Sequence, residues 1–156
     1  MGIQKYGGCM KSTPCYVGVV KSMVGVSDFL TRRAGSGRRA ALAKKKLAVG
    51  LEYILQHEVM LRQSDGGPIT PYITTLTYPF SYRVNVIEIL RLIAAGGRLD
   101  DDRCAAARDF LRSRRGANGY WRNHSDTIHR NAAWVRFDPA RSPGLWISSE
   151  IAPLVN

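Results

Sequence analysis

Arg108-Asp109-Phe110-Leu111-Arg112-Ser113-Arg114-Arg115-Gly116-Ala117-Asn118-Gly119-Tyr120-Trp121 holds a helix, the signal that stops it, and a large ring just past the stop. Upstream, Asp100-Asp101-Asp102 offers carboxylates that cap free amides and face the positive end of the helix dipole. Downstream, Arg112, Arg114 and Arg115 sit where cations are favoured, and Gly116 is available as the left-handed cap. The spacing therefore predicts a helix from about residue 100 to 115, closed by a glycine turn and followed by a Trp of the kind that is buried.

The stretch before it reads the same way. Val86, Ile89, Leu90 and Ile93 share one face of a helix expected from about Tyr82 to Ala95, ended by Gly96-Gly97. So short a connection makes these two helices an antiparallel hairpin. Further back, Ala43, Leu47, Gly50, Ile54, His57 and Leu61 recur at threes and fours, predicting one long amphipathic helix from Arg38 to about Leu61. Pro14 precedes a first helix over Cys15 to Leu30, with Gly18 and Gly25 as weak points costing about 1 kcal/mol each relative to Ala. Between the second and third helices, Ser64-Asp65-Gly66-Gly67-Pro68 is a turn cluster, and Pro71 and Pro79 keep the adjoining residues extended, so a long connection is expected. Asn118 to Gly144 reads as irregular, and a last short helix covers Trp146 to Leu154. The fold class is all-α, and residues 1–156 form one domain.

Composition agrees. With 45% hydrophobic and 22% charged residues the chain falls in the globular range, and no apolar run reaches the roughly 18 residues that span a bilayer. Met1 to Cys9 lacks the pattern of a secretory signal, so a cytoplasmic location is the expectation. Three cysteines, Cys9, Cys15 and Cys104, argue against a closed disulfide framework. The net charge of +11 is uneven. Arg32, Arg33, Arg38, Arg39, Lys44, Lys45 and Lys46 fall in one segment without an acid. Such a segment attracts phosphate polyanions, nucleic acid or anionic lipid, with a salt-sensitive affinity. A solvated basic loop and first helical turns is the plainer account of it.

The two helices and their Gly-x-Trp turn resemble the α/α-toroid repeat of terpenoid cyclases and protein prenyltransferases, in which the turn carries a Gln, a Gly and a Trp. Gly119 and Trp121 match, and Arg115 stands at the Gln position. The segments Cys15-Tyr16-Val17-Gly18-Val19-Val20-Lys21, Gly50 to His57, Tyr78-Pro79-Phe80, Phe137-Asp138 and Pro143-Gly144-Leu145-Trp146 extend the resemblance over nearly the whole chain. They are similar to the C-terminal portion of a longer helical array. The resemblance implies a partial toroid of helical hairpins with long irregular connections. An uncapped array leaves an apolar helical face open, so self-association or a protein partner is expected.

Chemistry is less legible. Squalene–hopene-type cyclases use an Asp-x-Asp-Asp acid motif; Asp100-Asp101-Asp102-Arg103 lacks its fourth Asp and reads as a helix cap. The Asp-x-Cys pair with a distant His that holds zinc in prenyltransferases has a counterpart in Asp102-Arg103-Cys104 with His124 or His129, at a much shorter separation than that family's. Cys9, Cys15 and His57, which the resemblance brings near one another, form a second zinc candidate without a fourth ligand; packing is the expected role of all three. Tyr120, Trp121, Trp134, Phe137 and Trp146 are the candidate wall of an apolar ligand pocket, or else gap fillers between helices. The leading expectation is a repeat protein, non-catalytic by itself, that binds a partner protein or an apolar, isoprenoid-like ligand. The alternatives are an isoprenoid-handling enzyme completed by oligomerisation and a basic nucleic-acid-binding module.

Overall fold

The computed structural model describes residues 14–32, 37–80, 83–124 and 137–155. Five helices carry the fold: α1 Tyr16–Arg32, α2 Arg38–Gln56, α3 Val86–Ala95, α4 Ala105–Ser113 and α5 Leu145–Val155. Among the described residues the chain is all-α apart from two short strands, β1 Trp121–Arg122 and β2 Pro143–Gly144. These pair antiparallel with Trp121 opposite Gly144.

Helices α1 and α2 form an antiparallel hairpin. Tyr16 meets Tyr53 and His57 at one end, and Met23 lies over Gly50 further along. A Cβ at Gly50 would stand 2.3 Å from the Met23 sulfur, so the glycine inside this helix is where α1 comes closest. The predicted stripe on α2 is buried at Leu47, Gly50 and Ile54, joined by Ala40, Leu51 and Leu55.

Helix α3 is the centre of the molecule. Val86, Ile87, Glu88, Ile89, Leu90, Leu92 and Ile93 are all buried, so it is enclosed nearly all round rather than on one face. It lies against α1 and α5. Burying each large aliphatic of this set contributes about 1.5 to 3 kcal/mol. Glu88 is the polar exception, and Lys21 of α1 meets both its oxygens at 2.7 Å. At the other end the Gly97 amide donates to Ala94 and the Arg98 amide to Ile93, with Gly97 at φ +69°: the glycine stop expected for this helix.

Four boundaries differ from expectation, each for a local reason. Helix α2 ends at Gln56, not near Leu61. Glu58 and Val59 both take positive φ, the Tyr16 hydroxyl donates to the Val59 carbonyl, and Leu61 pairs with Pro68 across a loop closed by Arg62 and Asp65. The segment after α2 thus begins with a tight reversal rather than an open connection. Helix α3 starts at Val86, not Tyr82, because the Asn85 side chain accepts from the Glu88 amide as its N-cap while donating to Thr77. Helix α4 is shorter than predicted and is preceded by a 3-10 turn over Asp102–Cys104, capped by the Asp101 carboxylate. Gly116 is not the left-handed residue after α4; Gly119 is, at φ +82°. Beyond Ser113 the chain makes a small loop in which the Gly116 amide donates to Tyr120 and the Gly119 amide to Gly116.

Helices α3 and α4, expected to pack on each other as a hairpin, instead meet through α5, which lies against both. Its two ends are fastened from outside. At the N-terminus the Asp138 carboxylate accepts from the Trp146 and Ile147 amides at 3.2 and 2.7 Å. At the C-terminus Arg108 and Arg112, one turn apart on α4, donate to the Leu154 and Val155 carbonyls. Anion at the positive end and cations at the negative end both oppose the helix dipole.

Candidate functional site

The Gly119-Tyr120-Trp121 turn places Trp121 in the core, 1% exposed. Its indole NH donates to the Leu111 carbonyl at 2.7 Å, taking up an acceptor at the open end of α4, and its amide donates to the Ser148 hydroxyl on α5. Arg115 donates to the Gly119 carbonyl at 2.9 Å and lays its guanidinium 5.3 Å from the Trp121 ring. The long side chain therefore braces the turn, and Trp121 has no face left for a ligand.

Beyond Trp121, Asn123 is fully buried and gathers three segments. Its amide nitrogen donates to the carbonyls of Tyr78 and Asp138, its amide oxygen accepts from the Tyr78 amide, and its own backbone pairs with Ser142 and Arg141. Next to it the His124 amide donates to the Leu76 carbonyl, and the Leu76 amide donates to His124 Nδ1 at 3.1 Å. Burial first, then the Arg114 charge, holds the His124 pKa below the usual imidazole range. These bonds hold Tyr78 beside the 137–146 segment.

That juxtaposition creates the most distinctive surface of the molecule. The Tyr78 and Trp146 rings stack nearly parallel with centroids 6.2 Å apart, and Phe137 stands edge-on to both, at 5.6 and 5.4 Å. Phe80 joins Tyr78 edge to face at 5.6 Å. Arg91 of α3 lies 5.3 Å from the Phe80 ring and pairs with Glu150 at 2.8 Å, giving the platform a charged rim. Trp146 is 50% and Phe137 36% exposed. From Phe80 and Arg91 the surface continues into a groove of about 250 Å³ between α1 and α3, lined also by Val24, Ser27, Asp28 and Glu88.

Of the predicted aromatic wall, then, Phe137 and Trp146 come together, Trp121 is removed from it into the core, and Trp134 lies outside the described residues. Tyr120 is exposed on the turn. Sequence reasoning misses Tyr78, Phe80 and Arg91 as members. Tyr78-Pro79-Phe80 stands out as a motif, but nothing local signals that Asn123 ties it to residues 137–146.

The metal candidates fare differently. Cys9 lies outside the described residues. His57 sits edge-on to the Tyr16 and Tyr53 rings, with its Nδ1 on the Leu61 carbonyl at 3.1 Å, a role in packing. Among the described residues no three His, Cys, Asp or Glu side chains are grouped to hold a metal, so Asp102, Cys104 and His124 form no such site, and His129 lies outside the described residues. Cys104 is buried with its thiol toward the Arg98 carbonyl, and burial, with Asp101 nearby, pushes its pKa up to about 11. Asp101 is engaged by Arg103 and Arg98, which hold its carboxyl far below the usual range.

Of the basic segment, Arg32, Arg38, Arg39, Lys44, Lys45 and Lys46 are all exposed, and Arg33 lies outside the described residues. No helix among the described residues is long and apolar enough to cross a membrane. Set against protein-family models, curated proteins and solved structures, the chain has no match.

Proposed function

We propose that this chain is an arc of an α/α toroid that works as a binding module without chemistry of its own, and that the Tyr78–Phe80–Phe137–Trp146 platform takes an apolar, isoprenoid-like group carried by a small molecule or a partner protein. The observation behind this reading is the half-exposed pair Phe137 and Trp146, edge-on to each other and both set against Tyr78, Phe137 edge to face and Trp146 stacked. Aromatic surface held in water in a fixed array marks a contact site, because an apolar occupant removes it from solvent without reordering the rings. The helical hairpin of α1 and α2 and the Gly119–Trp121 turn support the toroid reading. Asp101 is unsuited to the proton-donor role of a cyclase acid: such a group needs a raised pKa, whereas two guanidinium groups keep this one ionised.

Farnesol titration, followed by tryptophan fluorescence and by amide shifts of residues 137–146, tests the proposal. Saturable binding weakened about tenfold or more by Trp146→Ala is expected, the loss of one well-packed ring contact. Absence of saturable binding, or affinity untouched by Trp146→Ala, removes the platform from consideration.

A further inference from the structure

The outward side of α2 carries a second surface, separate from the ring platform. Arg38, Leu42, Lys45 and Val49 follow one another at four, three and four residues, so they line a single side of the helix over about 16 Å. Arg39 and Lys46, seven apart, run along one side of that line. Leu42 is 56% and Val49 63% exposed. From Arg38 to Leu51 the helix has no acid, and among the described residues none of these cations meets a carboxylate. The opposite side of the helix, Leu47, Gly50 and Ile54, is packed against the rest of the molecule. The exposed aliphatics are thus not the helix's core stripe; they form a second apolar line set among charges.

We infer that this face is a docking surface for an anionic lipid bilayer. A convex helix side with cations flanking protruding aliphatics matches a headgroup layer: the ammonium and guanidinium groups meet phosphate and carboxylate, and Leu42 and Val49 enter the interface between headgroups. Nucleic acid fits less well. Phosphates would satisfy the cations, but Leu42 and Val49 would stand between them without a partner. The face has no ring for base stacking, since Tyr53 is turned to Tyr16, His57 and the Pro14 carbonyl. The net charge of +11 adds long-range attraction to the same anionic surface.

Co-sedimentation of the full chain with phosphatidylcholine vesicles, with and without phosphatidylserine, reads this directly. Binding is expected only with phosphatidylserine and is expected to fall steeply with added salt. Lys45→Gln with Lys46→Gln should weaken it about 25-fold, at about fivefold per cation. Leu42→Ser with Val49→Ser, which leaves every charge in place, should weaken it roughly tenfold. All four positions are exposed, and circular dichroism checks that helix content is kept. No binding to anionic vesicles at low salt overturns the inference, as does equal binding to phosphatidylcholine alone. Undiminished binding of the Leu42→Ser/Val49→Ser variant also overturns it. A DNA duplex bound with the same lysine dependence and indifferent to the aliphatic pair assigns the face to nucleic acid instead.

Discussion

Gly144 shows how one residue's absence of a side chain sets up a distant group. A Cβ there would stand 2.4 Å from both the Asp138 carboxyl carbon and one of its oxygens, the group that caps α5. The clash falls on a buried carboxylate held by two amides, so relief means giving up the cap. Gly144→Ala should therefore cost about 2 to 4 kcal/mol, cap loss plus overpacking, measurable as a lower urea midpoint. Gly116, which the sequence offers as the left-handed cap, shows the limit of reading single residues. Gly116 and Gly119 both lie within a few residues of the helix end, and composition does not say which one turns the chain. In the structure the left-handed residue is Gly119, two before Trp121, whose indole takes the Leu111 carbonyl.

Among elements, the legible ones are those whose pattern is local. Helices α1, α2, α3 and α5 follow the spacing of their apolar residues, and the glycine stop after α3 is where its sequence puts it. The ring platform is half legible: Phe137 and Trp146 stand out by type, while Tyr78 and Phe80 are held beside them by Asn123, 45 residues beyond Tyr78, and by His124 next to it, and a polar residue in an irregular stretch carries no mark of that role. Asn123→Ala tests the link. It leaves buried groups of Tyr78 and Asp138 unpaired and should cost about 3 kcal/mol. Because the platform is fixed through those bonds, the variant should also lose the near-ultraviolet circular dichroism of Trp146 before it loses helix signal. His124 gives the same joint a pH dependence. Its folded pKa is depressed, so its contribution is present above the unfolded value of about 6.5 and is lost as pH falls through the folded value, when Nδ1 takes a proton and can no longer accept from Leu76. Between pH 7.5 and 5 the wild type should lose thermal stability, and His124→Asn should lose less over the same interval.

For the molecule as a whole, charge is the dominant trait. With a net charge of +11 on 156 residues, self-repulsion opposes the compact state, and only part of the cation set is matched by the ion pairs at Glu52, Glu88, Asp101 and Glu150. Raising ionic strength from very dilute buffer to physiological salt should raise the melting temperature, as read by scanning calorimetry, because screening relieves more repulsion than it removes attraction. A falling melting temperature would show that the Arg98–Glu52–Arg103–Asp101 network outweighs the surplus charge. The all-α class can be read from apolar spacing because each helix announces itself. The arrangement cannot, since the order in which helices meet is set by single long-range bonds such as Trp121 to Ser148 and Arg112 to Val155.

Helix α5 is held at one end by Asp138 and at the other by Arg108 and Arg112, and it lies against α3 and α4. During synthesis on the ribosome these partners emerge before residues 145–155 do. Until that stretch clears the exit tunnel, α3 and Trp121 lack the surface that covers them. While the first four helices are already outside, the sides of α3 and of the Trp121 strand that α5 covers in the finished fold have nothing against them.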